Sequence, residues 1–316
     1  MRLRITHDTR YEYEPAVQTA LHVAHLVPPH TRCQERAESR LEVDPTPATL
    51  TETLDIYRNV RAFFEIDAAH DHLHVRATSL VNTWAPEPVD SQLGWDAVQD
   101  AFVYRRGAQW HPAAEFIYPS IHVHPGALFA DYARPSFAPG RPLIDAAREL
   151  MQRVHQDFTY ASRSTEINTP AAEALAQRRG VCQDFSHVML ACLRSLGLPA
   201  RYVSGYLLTQ PPPGQPRLVG SDASHAWVAV FLPDVAAQHG GHGWYDLDPT
   251  NDRHGWGAPG EDFVRLAVGR DYADISPMRG VIHGGAGHEL DVGVTVEPCD
   301  AASLAEAPPL PTDPFR

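Results

Sequence analysis

Cys182, His225 and an aspartate at 246 or 248 are the residues whose types and order could carry nucleophilic chemistry. Cys182 follows Gly180-Val181 and opens a run, Gln183-Asp184-Phe185-Ser186-His187-Val188, that turns into an apolar helical stripe. A thiol at such a junction sits near the unsatisfied N–H groups and positive end of the helix dipole, which favours a thiolate. The polar pair Gln183-Asp184 directly after it argues against a plain core cysteine, the role that Cys192 on the stripe should take. A nucleophilic thiol needs an imidazole to accept its proton and a third group to orient that ring. His225 begins SHAWVAVFL at 224–232, an otherwise apolar strand, where one polar residue at the end is out of keeping with a core role. Asp246 and Asp248 end the next strand, GWYDL at 243–247 with its flank. With period 2 both point to one face, about 7 Å apart, so one of them can reach the imidazole and spacing does not choose which.

The elements that must position these groups follow from periodicity. From Arg2 to about Trp110 short β-branched and aromatic stretches alternate with polar residues and are cut by Pro, Asn and Asp. Leu3/Ile5, Tyr11/Tyr13, Leu41/Val43, Phe63/Phe64/Ile66, Leu73/Val75 and Leu80/Val81 mark separate strands, and an antiparallel sandwich is the economical arrangement. After Pro142 the period becomes about 3.6, with Ile144, Ala147, Leu150, Met151, Val154 and Phe158 on one stripe. A second helix is expected from a Thr169 N-cap with Pro170 at its first position and Gly180 as its stop. A third carries Phe185, Val188, Met189, Cys192, Leu193 and Leu196, ended by Gly197-Leu198-Pro199. Strands resume at 200–208, 224–232 and 243–247. Helices followed by an antiparallel sheet make an α+β chain. The expected divisions are an N-terminal β-rich domain at 1–118, a Pro-punctuated connector at 119–142, a catalytic domain at 143–297 and a loose Pro- and acid-rich tail at 298–316.

Composition narrows the function classes. The 316 residues carry 26 basic and 39 acidic side chains, a net charge of −13, which argues against a nucleic-acid or anionic-membrane binder held by phosphate contacts. Every basic residue is arginine, with no lysine in the chain. The longest apolar run, Ala226 to Leu232, is far short of the roughly 18 residues a spanning helix needs. The opening MRLRITHDTRYEYEP lacks the apolar segment of a secretory signal, so a cytoplasmic location is expected. Cys33, Cys182, Cys192 and Cys299 have no CxxC or metal-type spacing, and a reducing compartment disfavours a disulfide framework.

Three further features read as structural. His70, His72 and His74 alternate on one strand face and could in principle hold a metal, yet no thiol or carboxylate set stands at ligand spacing, so a solvated face is expected. GGHG at 240–243 and HGGAG at 283–287 lack the order of a phosphate loop and read as turns. PPPGQP at 211–216 opens a long loop ending just before His225, either a substrate wall or a plain hairpin connection.

The motifs GVCQDFSH at 180–187, LRSLGLPARYVSGYL at 193–207, SHAWV at 224–228 and DPTN at 248–251 resemble the bacterial transglutaminase-like, papain-like thiol family. RYEYEPAVQTALHVAHLVPP at 10–29 and HLHVRATSLVNT at 72–83 resemble the N-terminal β-domain often fused to it, and VGRDYADISPMRG at 268–280 resembles the same bacterial subfamily. The resemblance implies a transglutaminase-core domain behind the β-sandwich, a nucleophile at Cys182, a base at His225 and an orienting carboxylate at Asp248, with no cofactor. The Cys182 main-chain N–H would be one oxyanion donor, with Gln183 and Tyr160 as candidates for the second. Asp246 lies at a position the family fills with other residues. Two departures stand out: Ala229 lies where many relatives carry glutamate, and the stretch HGWGAPGED at 254–262 is longer than the family's usual connection. The expected activity is attack on an amide, peptide or isopeptide carbonyl with hydrolysis of a Cys182 thioester. Transfer to an amine, as in a protein-glutamine transamidase, is the alternative, and a non-catalytic binding protein on the same fold is the second. The expected partner is a peptide, isopeptide or amide-polymer substrate, with no nucleic acid, membrane or metal.

Overall fold

The computed structural model describes residues 1–107, 109–161, 169–209, 224–285 and 287–305. Strands β1 (Arg2–Ala24), β2 (Gln34–Asp44), β3 (Thr49–Leu54), β4 (Val60–Ile66) and β5 (His70–Thr83) come first. They are fewer and longer than expected: Leu3/Ile5 and Tyr11/Tyr13 share β1, and Leu73/Val75 and Leu80/Val81 share β5. The sequence pattern breaks inside β1 because His7, Asp8 and Thr9 are all buried there. Asp8 is satisfied across the sheet by His74 Nε2 and Arg76 Nε, each at 2.7 Å, and His7 Nδ1 meets the Tyr206 hydroxyl of the second layer at 2.8 Å. These strands form one antiparallel sheet in the order β2-β5-β1-β4-β3. Its two halves fold over a shared core in which Val17, Ala20, Phe64 and Ile66 join Leu73, Val75 and Ala77. The sandwich is therefore one sheet bent upon itself.

The stretch expected as strand and then plain connector holds α1 (Trp95–Phe102), a 3-10 turn (Pro112–Ile117) and α2 (Ala127–Ala133). In α1 only Val98 is fully buried, too little period to read from sequence. Next come α3 (Leu143–Asp157), the two-residue β6 (Thr159–Tyr160), α4 (Ala171–Gln177), β7 (Arg179–Gly180) and α5 (Cys182–Ser195). Helix α4 departs from expectation at both ends: Pro170 occupies the N-cap, and Arg178 in the left-handed region (φ 53°) ends it before Gly180 is reached. Gly180 instead pairs with Tyr160 in the parallel β6–β7 ladder. Gly197, at φ +70°, follows α5 as the expected stop.

Strands β8 (Ala200–Leu207) and β9 (Ser224–Phe231), α6 (Pro233–Gln238), then β10 (Trp244–Asp248), β11 (Arg253–Trp256) and β12 (Phe263–Gly269) complete the second layer. Its five strands run antiparallel in the order β11-β10-β9-β8-β12. Ala226, Val228 and Val230 of β9 share one core with Phe185, Val188 and Met189 of α5, while Trp227 and Ala229 on the other face pack with Val203, Phe263 and Tyr57. Period-2 alternation thus buries both faces of β9, which is why its text is continuously apolar.

The edge strand β12 is blunted by two side-chain amides from the first sheet. Gln34 donates to the Arg265 carbonyl at 2.8 Å and accepts from the Arg265 N–H at 2.7 Å; Asn59 does the same at Val268, at 2.7 and 2.8 Å. Each amide stands in for a strand neighbour and satisfies an edge that would otherwise be open. Finally β13 (Met278–Gly284) and β14 (Gly287–Pro298) return to pair with β1. Residues 278–297, placed with the catalytic half from sequence, therefore complete the N-terminal sheet, as does Pro298 from the expected tail. Among the described residues no helix is long and apolar enough to cross a membrane.

Candidate active site

Cys182 is the first residue of α5, and the local sequence explains why the helix starts there. Asp184 folds back so that its Oδ2 accepts from the Val181 N–H at 2.8 Å, closing the turn. A Cβ on Gly180 would stand 2.5 Å from that same Oδ2, so the glycine is the space that the cap occupies. The first-turn N–H groups of a helix have no intrahelical acceptor, and that of Cys182 is among them. Its thiol is half-buried.

His225 sits at the start of β9, 9 % exposed, and Asp248 at the end of β10, fully buried. Asp248 Oδ2 lies 2.8 Å from His225 Nε2. Its other oxygen, Oδ1, accepts from the Thr250 N–H at 2.9 Å, so the DPTN turn locks the carboxylate. Asn251 Nδ2 donates to Asp248 Oδ2 at 2.7 Å and stands 3.3 Å from His225 Nε2. With Nε2 facing Asp248, the nitrogen left for Cys182, a hydrogen-bonding neighbour of the ring, is Nδ1. Burial disfavours the charged imidazolium, but the Asp248 carboxylate and then the Cys182 sulfur outweigh it, and the His225 pKa is raised from 6.5 to about 10. The arrangement favours the charged His225 imidazolium.

Two aromatic rings fix the imidazole plane. Trp227 lies against it at 6.1 Å between centroids, and Phe263 at 5.9 Å. Gly205, the ladder partner of His225, leaves room for Trp227: a Cβ there would meet the indole at 2.6 Å and the Val264 carbonyl at 2.1 Å. Asp246 does not reach the imidazole. It is buried two residues upstream of Asp248 and accepts from Trp227 Nε1 at 2.7 Å; burial holds its carboxyl above the usual range despite Arg201. The alternative left open by spacing is thus separated by geometry.

Of the two candidates for a second oxyanion donor, Gln183 stands next in the first turn of α5 and is half-buried. Tyr160 is 52 % exposed, packs edge-on against Phe185, and its hydroxyl pKa is raised by burial and by the Cys182 sulfur. Tyr202, which the sequence did not single out, is a third neighbour: buried, its hydroxyl is pushed far up by burial and then by Cys182. Asn251, Trp227 and Phe263 were also missed, although Asn251 lies inside the quoted DPTN motif.

The histidine row departs from a uniformly solvated face. His70 is buried beside Tyr13 with Nδ1 2.8 Å from the Ala68 carbonyl, His72 contacts Asp71 at 2.8 Å, and His74 contacts Asp8. Each imidazole has its own partner, and among the described residues no group of three or more His, Cys, Asp or Glu is placed to hold a metal ion. The PPPGQP loop and residues 306–316 of the tail lie outside the described residues.

Comparison with known proteins shows the family. Residues 130–249 match the transglutaminase-like superfamily, and residues 3–82 match the bacterial transglutaminase-like N-terminal region. An uncharacterized protein of Mycobacterium tuberculosis is 38% identical over 312 residues, 96% of this chain and 95% of that one. A Mycobacterium leprae protein is 31% identical over 299 residues, 93% and 98% of the two chains. A protein-glutamine gamma-glutamyltransferase of Pseudomonas aeruginosa is 31% identical over 135 residues, 41% of this chain but 19% of that one. The solved structure of a candidate cysteine protease of Cytophaga hutchinsonii superposes with a TM-score of 0.68 at 18% identity, covering 100% and 95% of the two chains, a likeness of fold.

Proposed function

Because the chain belongs to the transglutaminase-like superfamily, we propose that it is a thiol hydrolase cleaving an amide, peptide or isopeptide bond through a thioester on Cys182. The observation that carries this reading is the His225 imidazole, fixed at 2.8 Å by the buried Asp248 carboxylate and bonded on its other side by the helix-borne Cys182 thiol. In the reaction the Cys182 sulfur attacks the carbonyl carbon while the developing oxyanion turns toward the Cys182 main-chain N–H. His225 then gives its Nδ1 proton to the departing amine, and the C–N bond breaks to leave the thioester. Water, losing a proton to the same nitrogen, attacks the thioester; the C–S bond breaks, the acid leaves and the thiolate–imidazolium pair returns. Asp248 keeps the ring in the one tautomer that can do both transfers.

Hydrolysis is favoured over amine transfer by the openness of the site: Cys182 is half-buried and Tyr160 beside it is half-exposed. Efficient transfer to an amine requires water to be excluded and the amine positioned. The transamidase reading keeps one point in its favour, since a chain without lysine cannot cross-link itself through that side chain. The deciding experiment incubates the protein and its Cys182→Ala variant with a cleavable acyl donor and a labelled primary amine at about millimolar concentration, a level at which water still dominates by number. Free acid as the main product, with an acyl-enzyme trapped on Cys182 by mass spectrometry, is expected. A dominant amine adduct would overturn hydrolysis and leave the thioester standing; no acyl-enzyme at all would favour a binding protein.

A further inference from the structure

On the face of the second sheet turned away from α5, a cavity of about 880 Å³ opens between the first sheet and strands β8, β10 and β12. That volume lies within the range of small-molecule sites. It is lined by five arginines, Arg32, Arg36, Arg58, Arg201 and Arg265, and by no carboxylate. In a chain of net charge −13 this concentration runs against the bulk composition. The acidic groups against its lining residues are Asp246, behind Arg201 and Arg265, Glu87, which pairs with Arg32, Asp55, which accepts from Tyr57 and Asn59, and Glu115, which accepts from the Tyr57 hydroxyl, fewer than the five guanidinium groups. They leave the cavity with a surplus of positive charge.

The guanidinium groups are built in place. Arg201 is 9 % exposed, stacks 4.2 Å over the Trp244 ring, and its Nε is buried without a hydrogen-bond partner. Among the described residues Arg265 Nε and Arg36 Nη1, like Arg201 Nε, are buried and have no hydrogen-bond partner. Arg32 stacks 3.7 Å over Trp256. Stacking on an indole satisfies the face of a guanidinium and leaves the in-plane N–H fork, partly taken by Glu87 at Arg32, as the group that recognises planar or tetrahedral oxyanions. Burial and the neighbouring Arg265 lower the Arg201 pKa to about 9, a cost that an anion in the cavity would relieve.

We propose that this cavity binds a small polyanion bearing two or more carboxylate or phosphate groups on a compact body. Cys182, His225 and Asp248 do not line it. Arg201 is the ladder partner of Ala229, four residues along β9 from His225, about 13 Å away. The site is therefore separate from the thiol centre, and its occupancy does not depend on that centre's chemistry.

The test is calorimetric titration of the full chain with inorganic pyrophosphate and with tricarballylate, at ionic strength held constant with potassium chloride. Saturable one-to-one binding of either probe is expected, unchanged in Cys182→Ala. Arg201→Gln should weaken it about 30-fold or more, and Arg36→Gln on the half-buried side about 10-fold, as losses of charge-assisted bonds. Unchanged alkylation of Cys182 in both variants shows that they are folded; should Arg201→Gln not fold, Arg36→Gln carries the comparison. Binding of pyrophosphate alone identifies a phosphorylated ligand, of tricarballylate alone a polycarboxylate, and of both the shared chemistry. Absence of binding by both at millimolar concentration, or equal binding by wild type and variants, overturns the proposal.

Discussion

Asp246 and Ala229 face each other across the β9–β10 ladder, and Arg201 faces Ala229 from the other side in the β8–β9 ladder. Asp246 and Arg201 therefore lie two strands apart on one sheet face, with Ala229 between them, and the buried carboxylate offsets the buried guanidinium. Ala229, fully buried, leaves the space between them. Asp246 accepts from Trp227, which in turn lies against His225, so this carboxylate also props the imidazole plane.

Removing the carboxylate should be repaired from the other strand. Asp246→Ala leaves Arg201 buried without a counter-charge and should cost about 3 kcal/mol of stability or more. Adding Ala229→Glu in the same chain should restore much of that loss, measured by urea unfolding. Two additive losses would show that the carboxylate cannot be exchanged between the strands.

The triad candidates were legible because each lies in a short-range signal: a helix start after glycine for Cys182, an apolar strand with one polar end for His225, and a strand end before proline for Asp248. Period 2 alone could not separate Asp246 from Asp248; the Thr250 N–H and Asn251 amide that fix Asp248, and the Trp227 indole that takes Asp246, are contacts made across the fold. Gly180 was read as a helix stop, whereas its role is set by a contact four residues later, with Asp184. The return of β13 and β14 to β1 joins residues more than 250 apart, which local periodicity does not encode. Likewise the single bent sheet was hidden by the buried polar triplet His7-Asp8-Thr9.

The two aspartates should fail in different ways. Asp248→Asn should lower kcat/KM by about 10²-fold or more, since an amide cannot both accept from Asn251 and hold the ring tautomer that the thiol needs. Asp246→Asn should retain most turnover, because the amide oxygen can still accept from Trp227, but lose about 3 kcal/mol of stability, because Arg201 again loses its counter-charge. Turnover and unfolding measured on both variants check this; inactivity of the Asp246 variant with intact folding would reverse the two roles.

Cys182 should be alkylated by iodoacetamide at least about 100-fold faster than the other three thiols near neutral pH, because thiolate character and access act together. Cys33, Cys192 and Cys299 are buried, and burial pushes Cys33 up to about 11 and Cys192 further up. Peptide mapping after timed labelling reads the rates. Comparable labelling of all four in the folded chain would remove Cys182 from the nucleophile position.

The pH dependence follows from the His225 imidazolium. Its folded pKa of about 10 lies above its ordinary 6.5, so the charged form is the one that folding favours. The stability it contributes is fully present below pH 6.5 and is lost as pH rises through about 10. The His225 imidazolium should survive over the same window, giving kcat/KM a descending alkaline limb near pH 10 and not near 7. Burial opposes the charge, and the Asp248 carboxylate is the first of the groups that offset it, so Asp248→Asn should carry the limb down by several pH units as well as lowering the plateau. The profile of Cys182 alkylation with pH gives the same reading without a substrate. A wild-type limb near neutrality that Asp248→Asn does not move would mean that the carboxylate at 2.8 Å does not control the ring's charge.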